Sequence, residues 1–244
     1  MNQRKTAPRF VEREPRVNAM VLFSGGIDSL VTLLAMREKY THVMAVGFHY
    51  GQLHETELDV AEEICERLGV FYQVMRIPEL GLLSEGGLVN RKAKLWDDLP
   101  TREMAGSLFV PGRNLVMMSY AAGLAVTHGA SVLAVGEGQA DGHLFPDAER
   151  EFFLAMEAAI SAGVGQKFLV EMPLMGMTKG EGIAFGYELD RFAELLPLTI
   201  SCYRGQRPGC GECPACTLRA CGFSDIGVAD PAFPARKLPT LIRS

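Results

Sequence analysis

No stretch of this chain approaches the roughly 20 consecutive apolar residues of a membrane-spanning helix. The opening MNQRKTAPRFVEREPR has no apolar core of the kind a secretory signal needs. Residues 1–16 are therefore expected to form a mobile polar extension, and the expected setting is cytoplasmic. Positive charge is in deficit: 24 Lys and Arg against 29 Asp and Glu give a net charge of −5. That balance argues against a broad polyanion-binding face, and so against nucleic acid as a partner, but leaves room for a small phosphorylated ligand. Internal repeats and low-complexity tracts are absent too.

What is present is an alternation of strand-like and helix-like runs in a chain that is 48% hydrophobic. Strands are predicted at Val17–Phe23, His42–Phe48, Val70–Arg76, Ser131–Gly136 and Phe168–Glu171. Helices are predicted after the first glycine-rich turn to Lys39, then over His54–Leu68, Arg113–His128, Glu149–Ala162, Lys179–Gly186 and Asp190–Leu196. This order predicts an α/β domain over 17–200, a doubly wound, mostly parallel sheet with right-handed crossovers. Ligands in such sheets bind beyond the carboxyl ends of the strands. The loops after Phe23, Phe48, Arg76 and Gly136 are thus the candidate site. Pro78–Leu108 breaks the rhythm and reads as a loop-rich insertion over one end of the sheet. A compositionally distinct segment at 201–223 reads as a small C-terminal appendage, followed by a tail at 224–244 packing on the domain.

The first turn is Ser24-Gly25-Gly26-Ile27-Asp28-Ser29. Glycine lets the backbone approach an anion, and the first N–H groups of the next helix are unpaired and carry the positive end of its dipole. Ser24 and Ser29 add hydroxyls. The Walker lysine is missing, so attack at a γ-phosphate is not the expected chemistry. A loop of backbone and hydroxyl donors suits a pyrophosphate leaving group, with AMP as the other product. Asp28 orients the loop, holds magnesium, or is an ordinary helix-start carboxylate favoured by the dipole. The hexapeptide after an apolar strand resembles the PP-loop ATP pyrophosphatases.

Of six cysteines, Cys202, Cys210, Cys213 and Cys216 follow C-x7-C-x2-C-x2-C. Four thiolates complete a tetrahedral zinc shell with no position for water, which makes a bound zinc structural. Cys65 sits on a predicted helix as a core residue.

The loop and the cysteines together resemble the QueC family, the 7-cyano-7-deazaguanine synthases. Further matches are FHYGQLHETE (48–57), FVPGRN (109–114), PLMGMTKGE (173–181) and SCYRG, CGECPAC and LRACGF in the zinc segment. The resemblance implies ATP-driven activation of the carboxylate of 7-carboxy-7-deazaguanine, capture by ammonia as an amide, and dehydration of the amide to the nitrile by a second ATP. It implies a homodimer, magnesium, structural zinc, and ATP as co-substrate. Carried over by position, Ser24, Gly25, Gly26, Asp28 and Ser29 would hold pyrophosphate. Phe48, Tyr50, Gly51, Gln52, Asn114, Asp141 and Asp147 would lie near nucleotide or acceptor. Arg113 would face phosphate or the acylated intermediate, and Lys179 would assist phosphate. Ordinary roles remain open at both: a helix-start ion pair for Arg113, and for Lys179 a solvated place beside a plain Thr178–Glu181 capping box.

Departures concentrate after the fourth predicted strand, at GEGQADGHLFPDAEREF (136–152). Asp141, Pro146, Asp147, Glu151 and Phe152 follow the family. Gly142-His143-Leu144 replace an aromatic-Ser-Gly core, Phe145 replaces a tyrosine, and Ala148-Glu149 replace Cys-Arg. His49 and Leu53 replace Asp and Arg. These changes are expected at the acceptor pocket, with Glu149 inverting a charge. Three alternatives follow: a QueC-like ligase joining the carboxylate to another amine, a PP-loop tRNA thiolase, and a non-catalytic nucleotide-binding subunit.

Overall fold

The computed structural model describes residues 18–84, 86–90, 108–138 and 145–233. The polar extension, the Lys94–Met104 stretch, Asp141 and the Gly142–Leu144 substitutions lie outside them. Five parallel strands form one sheet: β1 (Asn18–Leu22), β2 (His42–His49), β3 (Phe71–Arg76), β4 (Val132–Ala134) and β5 (Leu169–Glu171). Their spatial order is β3-β2-β1-β4-β5. Val21 lies opposite Ala45 on one side and Ala134 on the other. The chain first winds outward from β1 to β3, then crosses back to β4, so the crevice at the carboxyl ends of β1 and β4 is the topological switch point.

Strand periodicity of two divides the core into two layers. Val21, Phe23, Ala45 and Ala134 face one layer, built by α1 (Ile27–Lys39), α2 (Thr56–Leu68), α5 (Lys179–Glu188), α6 (Phe192–Leu195) and α7 (Pro214–Asp225). Met20, Val46, Leu133 and Val135 face the other, built by α3 (Arg113–Thr127) and α4 (Arg150–Val164). Both faces of the central strand are covered, which is why it runs apolar from Ala19 to Leu22 rather than alternating.

Element boundaries shift by a few residues. The fourth strand is shorter than Ser131–Gly136, yet the pairing outlasts it: Leu169 N–H donates to Ser131 O at 2.9 Å and Val135 N–H to Glu171 O at 2.9 Å. Helix α4 runs two residues past Ala162 and stops where Gly165 turns left-handed at φ 71°. Helix α2 starts at Thr56, because the residues before it are committed to a separate loop. Among the described residues no helix is long and apolar enough to cross a membrane.

The cysteine-bearing segment is packed into the first layer. Cys202, Cys213, Cys216 and Phe223 are buried in the same cluster as Leu33 of α1 and Ile183 of α5. Helix α7 approaches α5 so closely that a Cβ at Gly222 would lie 2.6 Å from Lys179 Cγ. Arg219 on α7 is 1% exposed. Its guanidinium donates to Asp230 at 2.5 and 2.9 Å and to the carbonyl and hydroxyl of Thr199 at 3.1 and 3.0 Å. The rings of Phe223 and Phe233 lie 5.7 and 5.8 Å from its carbon. This clamp ties residues 230–233 and 199 to the cysteine helix.

Removing one member of a buried charge pair strands the other charge. Asp230→Ala is expected to cost about 3–5 kcal/mol in urea unfolding, and Arg219→Met on that background is expected to recover part of the loss.

Candidate active site

At the end of β1 the chain makes its glycine turn and enters α1. Gly25 has φ 79°, and a Cβ there would lie 2.7 Å from Glu57 O and 3.0 Å from Ala61 N. Helix α2 is thus seated directly on the loop, and only glycine fits between them. From the other side, Ile200 N–H donates to Gly25 O at 3.1 Å. The hydroxyl of Ser29 donates to Gly26 O at 3.0 Å and accepts from Ser24 N–H at 3.3 Å. Ser29 therefore braces the loop, while Ser24 is exposed. Gly26 heads α1 without a side-chain cap, which leaves the first-turn amides for a ligand.

A cleft of about 310 Å³ opens over this loop. Its phosphate-loop end is lined by Ser24, Gly26, Asp28, Ser29, Gly136, Glu137 and Lys179. Lys179, the first residue of α5, forms an ion pair with Asp28 across the loop. The capping box is also present: Thr178 Oγ1 accepts from Glu181 N–H at 3.3 Å, and Glu181 accepts from Thr178 N–H at 2.8 Å. The plain capping box is thus present, but Lys179 is not solvated: the cap sets the helix start that aims the lysine at Asp28.

The other end is lined by Phe48, Tyr50, His54, Glu57, Leu88, Arg113, Asn114, Phe145 and Ala148. Arg113 heads α3 beside the buried Tyr50 hydroxyl. Burial opposes the Arg113 charge, but Tyr50, Asp147 and Tyr203 outweigh it and raise its pKa. Burial likewise pushes Tyr50 up, against the pull of Arg113. Asn114 donates from its amide side chain to Asp147 O at 2.8 Å and from its N–H to Asp147 Oδ2 at 3.3 Å. Asp147 thus caps the start of α3, fixes Asn114 and favours the Arg113 charge, rather than lining the cleft itself.

Several placements differ from the expectation. Gln52 is 1% exposed, with its amide used internally. It accepts from Tyr50 N–H at 2.8 Å and donates to Phe48 O at 2.8 Å and Glu57 Oε1 at 3.3 Å. With Gly51 at φ 86°, it shapes the loop that presents Phe48 and Tyr50. Glu149 is exposed at the start of α4 and does not line the cleft; its neighbour Ala148 does. His49 is also outside it, 3.1 Å from Glu55. The inverted charge is therefore not in the cleft wall.

Two cleft residues were not singled out in the sequence. His54 Nε2 lies 3.4 Å from Glu57 Oε2, and the His54 ring packs 6.1 Å from Tyr203. Burial raises the Glu57 pKa, opposed by His54, the Gln52 hydrogen bond and Arg113. A histidine and a glutamate three apart at a strand-to-helix junction was the available signal.

The four cysteine sulfurs all lie within 4.8 Å of one another, with Cys210 and Cys216 at 4.0 Å. A tetrahedral zinc with bonds of about 2.3 Å holds its sulfurs roughly 3.8 Å apart. Backbone N–H groups of Cys210 and Cys213 donate to the sulfurs of Cys202 and Cys210 at 3.4 and 3.3 Å. Hydrogen bonds from Cys213 and Cys216 hold the Cys202 thiol low, and the same bonding pushes Cys213 up to about 11. Such crowded thiols share protons and gain a common charge only with a cation among them. The set fits a metal with soft-ligand preference, and zinc there would supply folding energy rather than chemistry.

A family profile described as queuosine biosynthesis protein QueC matches residues 18–227. The chain belongs to the QueC family. Among its QueC relatives, the 7-cyano-7-deazaguanine synthase of Parvibaculum lavamentivorans is 38% identical over 230 residues, covering 86% of this chain and 95% of that protein. The Bacteroides fragilis protein of the same name is 36% identical over 209 residues, covering 85% and 95%. Among solved structures, a 4-thiouridine synthetase–RNA complex with bound ATP gives a TM-score of 0.49 at 17% identity, covering 86% of this chain and 53% of that one. The NMN synthetase of Francisella tularensis gives 0.47 at 14% identity, covering 93% and 80%.

Gly25→Ala is expected to lower affinity for an ATP analogue at least tenfold in calorimetry, because the added methyl must displace α2 or the loop. Purified protein is expected to hold one zinc per chain by elemental analysis. Cys213→Ser is expected to lower both that content and the melting temperature.

Proposed function

We propose that this chain is an ATP-dependent carbon–nitrogen ligase that makes 7-cyano-7-deazaguanine from 7-carboxy-7-deazaguanine and ammonia. The substrate carboxylate attacks the α-phosphorus of ATP, a C–O–P bond forms, and pyrophosphate leaves. Ammonia attacks the carbonyl carbon, a C–N bond forms and AMP departs. A second ATP activates the amide oxygen, whose loss as AMP with two N–H protons leaves the nitrile. The observation that carries the reading is the two-ended cleft. One end offers unpaired helix-start amides, Ser24 and Lys179 for pyrophosphate. The other is walled by aromatic and apolar side chains suited to a flat heterocycle. The relatives' name, 7-cyano-7-deazaguanine synthase, supports the product of this reading.

In this reading Lys179 leaves Asp28 for the departing pyrophosphate, whose developing charge it stabilises. Asp28 and Glu137, both lining the phosphate-loop end, would meet the magnesium that accompanies ATP. That ion would supply charge neutralisation. Arg113 faces the acyl-adenylate. A second reading, transfer to a different amine, is favoured by Phe145 and Ala148, which stand in the cleft wall where the family has Tyr and Cys.

The test is to mix enzyme, MgATP and 7-carboxy-7-deazaguanine, with and without ammonium, and follow pyrophosphate and product mass. Carboxylate-dependent pyrophosphate release is expected, with amide and then nitrile masses when ammonium is present. Release with no nitrile, but with adducts of another supplied amine, supports the second reading. No pyrophosphate with any amine overturns both. Lys179→Met is expected to slow pyrophosphate release by about a hundredfold.

A further inference from the structure

The cleft holds a carboxylate that neither phosphate binding nor the apolar wall accounts for. Glu57 lies in the first turn of α2, and its own backbone carbonyl is the atom packed against Gly25 of the glycine loop. Its carboxylate lines the cleft together with Tyr50, His54 and Arg113. The reacting carbon must lie between the phosphate loop and the acceptor wall, and Glu57 stands at that junction. Both carboxylate oxygens are fixed: Oε1 accepts from Gln52 Nε2 at 3.3 Å, and Oε2 lies 3.4 Å from His54 Nε2. Gln52 is itself locked by the backbone at Phe48 and Tyr50. No ion pair with a lysine or arginine is formed by Glu57 among the described residues; the ring in direct contact with its carboxylate is that of His54.

We infer that Glu57 is the proton acceptor for the attacking amine, with Gln52 and His54 as its positioning residues. The inference rests on the ligase reading above. When ammonia adds to the acyl-adenylate, the new C–N bond leaves a positively charged nitrogen. One of its protons passes to the Glu57 carboxylate, the C–O bond to AMP breaks, and AMP leaves with that electron pair. Adenylation itself releases no proton from the substrate carboxylate and has no use for a base. Nitrile formation then removes two more N–H protons, so a base at this place serves both halves of the reaction. Desolvation of Glu57 strengthens its hold on a proton, as general-base work near neutrality requires.

A rival use of the same carboxylate is to accept from the N–H edge of the heterocycle, which would act on substrate binding and not on proton transfer. Full-length Glu57→Gln separates the two. Carboxylate-dependent ATP–pyrophosphate exchange reports adenylation, and single-turnover amide formation reports capture. The expected result is exchange within about threefold of wild type, with ammonia capture reduced at least a hundredfold, the loss expected for a general base. Hydroxylamine, which is largely unprotonated at pH 7 and a stronger nucleophile than ammonia, is expected to restore capture as a hydroxamate of the predicted mass. Binding of a non-hydrolysable ATP analogue and a melting curve check that the variant is folded. Capture at the wild-type rate overturns the inference. So does a matched loss of exchange and capture, or a rise in the KM for the carboxylate with capture intact. Absence of exchange in the wild-type enzyme instead overturns the ligase reading and this inference with it.

Discussion

A loop made largely of serine and glycine has few side chains with which to hold itself in shape. Here Ser29 braces it from within, and the remaining constraint is met from outside. The carbonyl of Glu57 and the N–H of Ala61 press on one side of Gly25, and the N–H of Ile200 bonds its carbonyl from the other. The loop is thus rigid because two remote segments grip its backbone. Each of those segments also brings a wall of the cleft. Helix α2 carries Glu57, and the chain after Ile200 leads directly into Cys202 and Tyr203. Loop shape and cleft shape are consequently one packing problem, solved once.

The same economy runs through the cysteine segment. Four soft ligands in a tight cluster, a buried Arg219–Asp230 pair and the close approach of α7 to α5 all stabilise a region that a short, glycine- and proline-rich stretch could not stabilise by burial alone. Helix α7 in turn covers the stem of Lys179. The cysteine cluster and Lys179 are connected by direct packing of α7 on α5, although they lie apart in sequence.

Much of this was legible in the sequence. The strand–helix alternation specifies a parallel sheet, because buried parallel strands and amphipathic crossover helices each leave a distinct periodicity. The SGGIDS turn and the cysteine spacing are local signals, readable without knowing what surrounds them. Gln52 and Asp147 were harder. Both were expected at the ligand, and both face inward, since a polar residue that satisfies a buried loop looks in sequence like one that satisfies a substrate. The reverse held for His54 and Glu57: their place in the cleft follows from how α2 meets Gly25, a contact that no local pattern encodes. The position of Glu149 was missed for the same reason. A one-residue difference, Ala148 inward and Glu149 outward, depends on the phase of a short helical turn.

Asp28 and Lys179 are separated by 151 residues, and Ile200 and Arg219 come later still. A chain emerging from the ribosome through α4 would carry the phosphate loop, all of α2 and four of the five strands. It would still lack the lysine, the backbone donor that closes on Gly25 and every cysteine of the metal cluster. The cleft is therefore completed last during synthesis, once the C-terminal segment has been made and has docked.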